Sequence, residues 1–264
     1  MPRGMCPLCD REEDLRLSHF IPRALYPANL VYTNKTISGR FPAQMKQYLL
    51  CAVCEDRFNK HGESEAMKWI TPNKKHFPLL AKMNLAQPVP GSVRKGVYSS
   101  AVLGVDTEKF GYFMLSILWR AAVAEWVLPD RTVTTKISLG GQDTAIKAYL
   151  LGTAPFPTDA MVMMTVCDDP FSRDWLARPN AIKNLKGFSG FEFLARGVYF
   201  HTLFGAGIPA KFRRMCCASS SDRYIFRRSC ADKSVPAYTR LSATARKVGK
   251  WAKESEDYSA TVQT

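Results

Sequence analysis

Two Cys-x-x-Cys pairs separated by 41 residues, Cys6-Pro-Leu-Cys9 and Cys51-Ala-Val-Cys54, constrain this chain more than any other feature. Each pair lets two thiolates approach one metal ion from a tight turn, and two such turns complete a tetrahedron around Zn²⁺. Four unrelated buried cysteines would give no reason for the repeated spacing. A thioredoxin-like redox site would use one pair set in a βαβ pattern, which surrounds neither pair here. Cys6, Cys9, Cys51 and Cys54 are therefore expected to ligate one structural Zn²⁺ that staples residues 1–70. The intervening insert exceeds the loop of a simple zinc ribbon, so something functional is expected inside it.

No stretch reaches the roughly 18 uninterrupted apolar residues of a membrane span, and Met-Pro-Arg-Gly-Met-Cys lacks the apolar core of a secretory signal. The expectation is a cytoplasmic protein with no membrane partner, where thiols stay reduced and paired motifs serve metals. Cys167, Cys216, Cys217 and Cys230 show no second ligand pattern and are expected to be small buried or idle thiols. His76 and His201 also lack neighbouring ligands, and His201 within VYFHTLF fits a half-buried strand position.

With 46% hydrophobic residues most of the chain should fold. Residues 52–69 are rich in helix formers, with Gly62 a weak point and Pro72 a stop. Residues 86–97 combine two prolines with two glycines and read as a loop. Asp106 offers an N-cap before FGYFMLSILWRAAVAEWVL, a helix apolar nearly all round and so expected to be buried. Short apolar runs at 145–151 and 160–167, and a hairpin over 190–205 turning at Arg196-Gly197, suggest strands. The expected class is α+β: a zinc module at 1–70, a connecting segment at 71–97, a larger α+β domain at 98–240 and a basic, polar tail at 241–264.

Inside the insert lies Leu17-Ser18-His19-Phe20-Ile21-Pro22. The succession CPLC, LSHFIP and LLCAVCEDRFNKHGE resembles the HNH endonuclease superfamily in its zinc-stapled, four-cysteine form. It most resembles a bacterial branch that joins such a module to a C-terminal domain, in which a stretch like FGYFMLSILWRA, here residues 110–121, follows. The resemblance implies a ββα-metal fold and metal-dependent hydrolysis of phosphodiester bonds in DNA. His19 would be the general base that takes a proton from water, and a divalent Mg²⁺ or Mn²⁺ would stabilise the charge on the phosphate and leaving oxygen.

The sequence departs from the family pattern at three positions. The residue before the base histidine, usually Asp or His, is Ser18. The middle Asn is Lys46, with Gln47 beside it, and the last His or Asn is Glu55. Glu55 and Asn59 are four apart on the expected helix and share a face, where oxygen ligands suit Mg²⁺ or Mn²⁺. Together with His19 they make the expected catalytic set. His61 and Glu65 form another such pair, displaced around the helix. The competing readings are structural: His19 capping the turn before Ile21-Pro22, and Glu55 as an acidic group favoured near a helix N-terminus. Ser18, Lys46 and Glu55 favour the alternative function, a catalytically inactive zinc-stapled module that binds nucleic acid or protein.

The formal charge of +14 is uneven. Residues 211–253 hold twelve Lys or Arg against Asp222 and Asp232, whereas residues 1–64 carry nine basic and seven acidic groups. A polyanion is the expected partner, nucleic acid and specifically DNA. Aromatics interleave with basic groups around Arg213, Arg214, Arg227 and Arg228, which are the expected phosphate contacts. A strand with one apolar and one basic face would produce the same pattern.

Overall fold

The computed structural model describes residues 1–26, 30–33, 38–41, 44–71, 77–90, 96–127, 133–168, 172–173, 176–218 and 223–228. Pro72, His76, Cys230, the 241–264 tail and half of the basic run at 211–253 lie outside them.

The chain is mixed α+β, as expected. Strands β1 (Arg3–Cys6), β2 (Arg11–His19) and β5 (Lys46–Cys51) form an antiparallel sheet in the order β1-β2-β5, and β3 (Leu30–Thr33) pairs with β4 (Ser38–Phe41) in the insert. The β2–β5 register places His19 opposite Lys46 and Ser18 opposite Gln47, with a bulge between Arg16 and Leu17. That bulge shifts the alternation, so Leu49 and Leu50 are both buried although adjacent. Leu50 N–H, freed from the ladder, donates to Ser18 Oγ at 3.2 Å. Ser18 thus satisfies a buried amide.

β5 runs directly into α1 (Ala52–Phe58), which continues through a π turn at Asn59–Glu63 into α2 (Ser64–Ile70). The expected helix over 52–69 is present, broken in phase by that one wide turn. After α3 (Pro78–Leu85), β6 (Val97–Ser99) and α4 (Ser100–Leu103) comes α5 (Thr107–Val123). Asp106 caps α5 by accepting from Lys109 N–H at 3.2 Å, and Phe110 to Ala121 are all buried. An all-apolar helix needs partners on every side. On one side Phe113 meets Phe200 of the large sheet, ring centroids 5.8 Å apart; on the other Phe58 of α1 lies edge-on to Trp119 and Tyr112, both at 5.9 Å.

The large sheet has six strands in the order β6-β11-β7-β10-β9-β8, with β7 (Ala160–Cys167), β8 (Leu176–Ala181), β9 (Ser189–Ala195), β10 (Val198–Phe204) and β11 (Tyr224–Arg228). Only the β7–β11 pair is parallel. The expected hairpin is β9–β10: Arg196 and Gly197 both have positive φ, at 52° and 84°, as a two-residue turn matched to strand twist requires. Residues 145–151 are not a strand but part of α6 (Asp143–Leu151). Ile146 and Leu150, one turn apart, are its buried face, and Gly152 in the left-handed region ends it. In so short an apolar run, periods of 2 and 3.6 are hard to tell apart.

The buried residues on both sides of 86–97 join in one continuous core, from Cys6 to Ile225. Gly62, in the π turn, lies against the backbone of α5 at Phe113. A Cβ there would lie 2.8 Å from Phe113 N and 3.0 Å from its Cα. Gly62→Ala should therefore cost about 1 to 3 kcal/mol by overpacking, reversing the usual helical preference for alanine. Urea denaturation checks this, and an unchanged or raised midpoint would refute the close crossing.

His201, on the sheet face opposite Phe200, is half-buried as expected. Burial and then Arg228 push its imidazole down to about 4 from 6.5, while Glu192 stands 3.9 Å away. A depressed histidine is neutral in the folded chain, so its contribution is complete above pH 6.5 and is lost as pH falls from there toward 4. The expected loss is about 2 kcal/mol after allowing for the Glu192 counter-charge. His201→Gln should flatten that limb of a stability–pH profile, and an unaltered limb would assign it to other groups. Cys216 and Cys217 are buried free thiols. Cys167 is disulfide-bonded rather than idle, a pairing that no spacing motif signalled.

Candidate metal centre

Cys6 ends β1, and Cys9 sits in the turn that follows, closed by Asp10 N–H donating to Cys6 C=O at 2.9 Å with Asp10 at φ 54°. Cys51 ends β5 and Cys54 lies in the first turn of α1. The four Sγ atoms all lie within 4.8 Å of one another, and Cys9 and Cys51 Sγ are 3.9 Å apart. Tetrahedral Zn–S bonds of about 2.3 Å require sulfur–sulfur separations of about 3.8 Å, so the set fits a zinc ion. All four are free of disulfides. Cys51 N–H points at Cys6 Sγ at 3.4 Å. Hydrogen bonding from the Cys54 thiol, together with backbone amides, brings Cys6 down to about 4, whereas Cys54 is pushed up by bonding to Cys6 and by burial. Thiolates are the ligands of Zn²⁺, so protons leave the cluster when a metal binds. The knuckle is anchored to α6 through Lys147 Nζ, 2.7 Å from both carboxylate oxygens of Asp10.

His19, the last residue of β2, stands at the rim of the same sheet. Its Nε2 is 2.9 Å from Gln44 Oε1, and the Tyr26 ring lies 6.4 Å away. Glu55, the residue after Cys54, points inward, with a side chain only 25% exposed. Burial raises its carboxyl above the ordinary carboxylate range. Arg120 first, and then the nearby Ser18 hydroxyl, favour the charged form; Glu63 opposes it, and His19 adds a weaker favourable field. Glu55 Oε1 is buried without a hydrogen-bond partner among the described residues. The next inward-facing carboxylate along the helix is not one turn on, at Asn59, but about two turns on, at Glu63.

The π turn accounts for the place of Glu63, whereas Asn59, whose N–H still donates to the Glu55 carbonyl as in an α-helix, precedes it. With one residue inserted, positions 55 and 63 are related as if seven apart, about 700° or nearly two full turns, and face the same way. Asn59 is exposed, and its Oδ1 accepts from Ser64 Oγ at 2.8 Å. Arg120, 1% exposed in the last turn of α5, donates from Nη2 to Glu63 Oε1 at 2.7 Å and stands 4.0 Å from Glu55 Oε2. Its guanidinium lies 4.7 Å from the Phe58 ring centroid. Neither Glu63 nor Gln44 carried a sequence signal. Arg120 did: it is the one charge within the apolar run 110–123, and a charge so placed has to be paired.

Most of the remaining sequence candidates have other occupations. Glu65 accepts from Trp69 Nε1 at 2.7 Å, and His61 is exposed beside the Tyr112 ring. Both Nη nitrogens of Arg213 donate to carbonyls, those of Thr158 and Gly205, each at 2.9 Å, which ties two loops together. Arg227 donates to Asn84 Oδ1 at 2.7 Å and lies 3.8 Å from Asp168. Arg228 is half-buried, and Arg214 is exposed. No helix among the described residues is long and apolar enough to cross a membrane. Comparison with protein families, with characterised proteins and with solved structures finds no match to this chain.

Proposed function

We propose that the chain is a metal-dependent endonuclease of the HNH type that hydrolyses phosphodiester bonds in DNA. One arrangement carries the reading: a strand ending in His19 pairs with the strand that leads through the second cysteine pair into a helix, and from that helix Glu55 turns inward beside Ser18. An order of strand, strand and helix is what the resemblance to the HNH superfamily leads one to expect, and it supports this reading. With Gln44 Oε1 accepting from Nε2–H of His19, the Nδ1 lone pair is the basic one and takes a proton from water. Glu55 is the oxygen ligand for Mg²⁺ or Mn²⁺, an ion that when bound stabilises the charge on the phosphate and leaving group. The excess of positive charge, with exposed Arg214 among it, favours a polyanionic substrate.

A second reading is favoured by Arg120, which already gives Glu55 and Glu63 an internal cation. On it the same unit is a zinc-stapled docking surface without catalysis. Plasmid nicking with Mg²⁺, Mn²⁺ or EDTA separates the two. The nuclease reading expects cleavage that EDTA abolishes and that His19→Ala, with its zinc retained, lowers by about 10³-fold. No cleavage with either ion, alongside salt-sensitive DNA binding, would establish the docking module instead.

A further inference from the structure

The arginine that contacts both carboxylates comes from α5, outside the zinc-stapled segment. Arg120 is buried among Phe58, Glu63 and Trp126, whose indole N–H donates to the Arg120 carbonyl at 3.1 Å. Its Nε and Nη1 have no hydrogen-bond partner among the described residues. Only Nη2 is engaged, at 2.7 Å from Glu63 and 4.0 Å from Glu55. This is an uneven fork: a tight bond to the residue two turns away, and a looser attraction on the residue beside the zinc ligand. A guanidinium fixed by ring stacking and by one strong ion pair acts on Glu55 as a stationary charge.

We infer that Arg120 is a positioning residue: gripped by Glu63 and seated on Phe58, it holds the Glu55 carboxylate, 4.0 Å from its Nη2, turned inward. The geometry of the candidate site then depends on a helix from the larger part of the chain. The zinc-stapled segment alone would leave Glu55 and Glu63 side by side without a counter-charge, and like charges so close push both side chains outward to water. The catalytic consequence rests on the nuclease reading; the orientation of Glu55 does not.

Two measurements on the full chain keep those apart. Carbodiimide labelling of carboxylates, read by mass spectrometry, reports the exposure of Glu55 against the exposed Glu12 and Glu13 as internal references. Plasmid nicking reports kcat and KM. The variant is the double substitution Arg120→Met with Glu63→Gln, which removes both charges of the pair so that neither is left buried alone. Arg120→Lys, which keeps the charge without the fork, serves as the second variant. Both are compared at full zinc content.

In the double variant Glu55 labelling should rise about tenfold, with a smaller rise in Arg120→Lys. Nicking should lose about 100-fold in kcat with KM for DNA held within about twofold, because a misplaced ligand slows the chemistry without weakening substrate binding. Unchanged Glu55 labelling in either folded variant overturns the inference, whatever nicking does. Increased labelling with undiminished kcat overturns the catalytic consequence. Increased labelling in a chain whose wild type does not nick supports the positioning role and removes the nuclease reading.

Discussion

Cys54→Ser should leave the chain without bound zinc and without a cooperative folding transition. Among the described residues of 1–71 the buried apolar side chains are few, namely Leu8, Phe20, Ile21, Leu25, Met45, Leu49, Leu50 and the α1–α2 face, and three of the four sulfurs are part of that core. Four-thiolate sites supply apparent binding free energies on the order of 10 kcal/mol. That is comparable with the total stability of a typical domain, about 5 to 15 kcal/mol. Loss should spread, because Phe58 and Gly62 pack directly on α5, the helix at the centre of the shared core. The checks are zinc released per chain on thiol modification, far-UV circular dichroism and a melting curve, with Cys216→Ala as the cysteine change that leaves zinc content at one per chain. A metal-free Cys54→Ser chain that melts like the wild type would show that the cluster does not hold the fold.

Arg120→Met alone should destabilise the chain by about 3 to 5 kcal/mol. The substitution keeps most of the side-chain volume over Phe58 but leaves Glu63, 14% exposed, and Glu55, 25% exposed, without their cation. Adding Glu63→Gln should recover about half of the loss, since a neutral amide is far cheaper to bury than an unpaired carboxylate. Denaturation of the two single variants and the double closes a thermodynamic cycle, and a coupling of about 1 to 3 kcal/mol is expected for groups in contact. A cost below about 1 kcal/mol for Arg120→Met would mean that the ion pair behaves as an exposed one.

Several elements could be recognised from local chemistry alone. The helix after Cys51, the Asp106 cap, the buried helix 107–123 and the Arg196-Gly197 hairpin each have a signal within a few residues: composition, a capping side chain, apolar repetition or a turn dipeptide. Residues 145–151 were misread because Ala-Ile-Lys-Ala-Tyr-Leu-Leu is short enough to satisfy either period, and only the burial of Ile146 with Leu150 decides it. The Glu55–Asn59 pair was expected on the premise of an unbroken α-helix. The helix is α between those two residues, but Asn59 is exposed and bonded to Ser64; one wide turn after it, at Gly62 where the Phe113 backbone is close, brings Glu63 round to face Arg120.

The repeated Cys-x-x-Cys spacing by itself determined where a metal could sit, because ligand geometry is local to two turns and needs only that those turns meet; the four Sγ atoms lie within 4.8 Å. What surrounds that centre was settled by tertiary packing. Glu63, Gln44 and Arg120 reach Glu55 and His19 from positions 8, 25 and 65 residues away. Long-range neighbours of this kind follow from how whole helices and strands bury their apolar faces, and no pattern within one segment records which face will meet which.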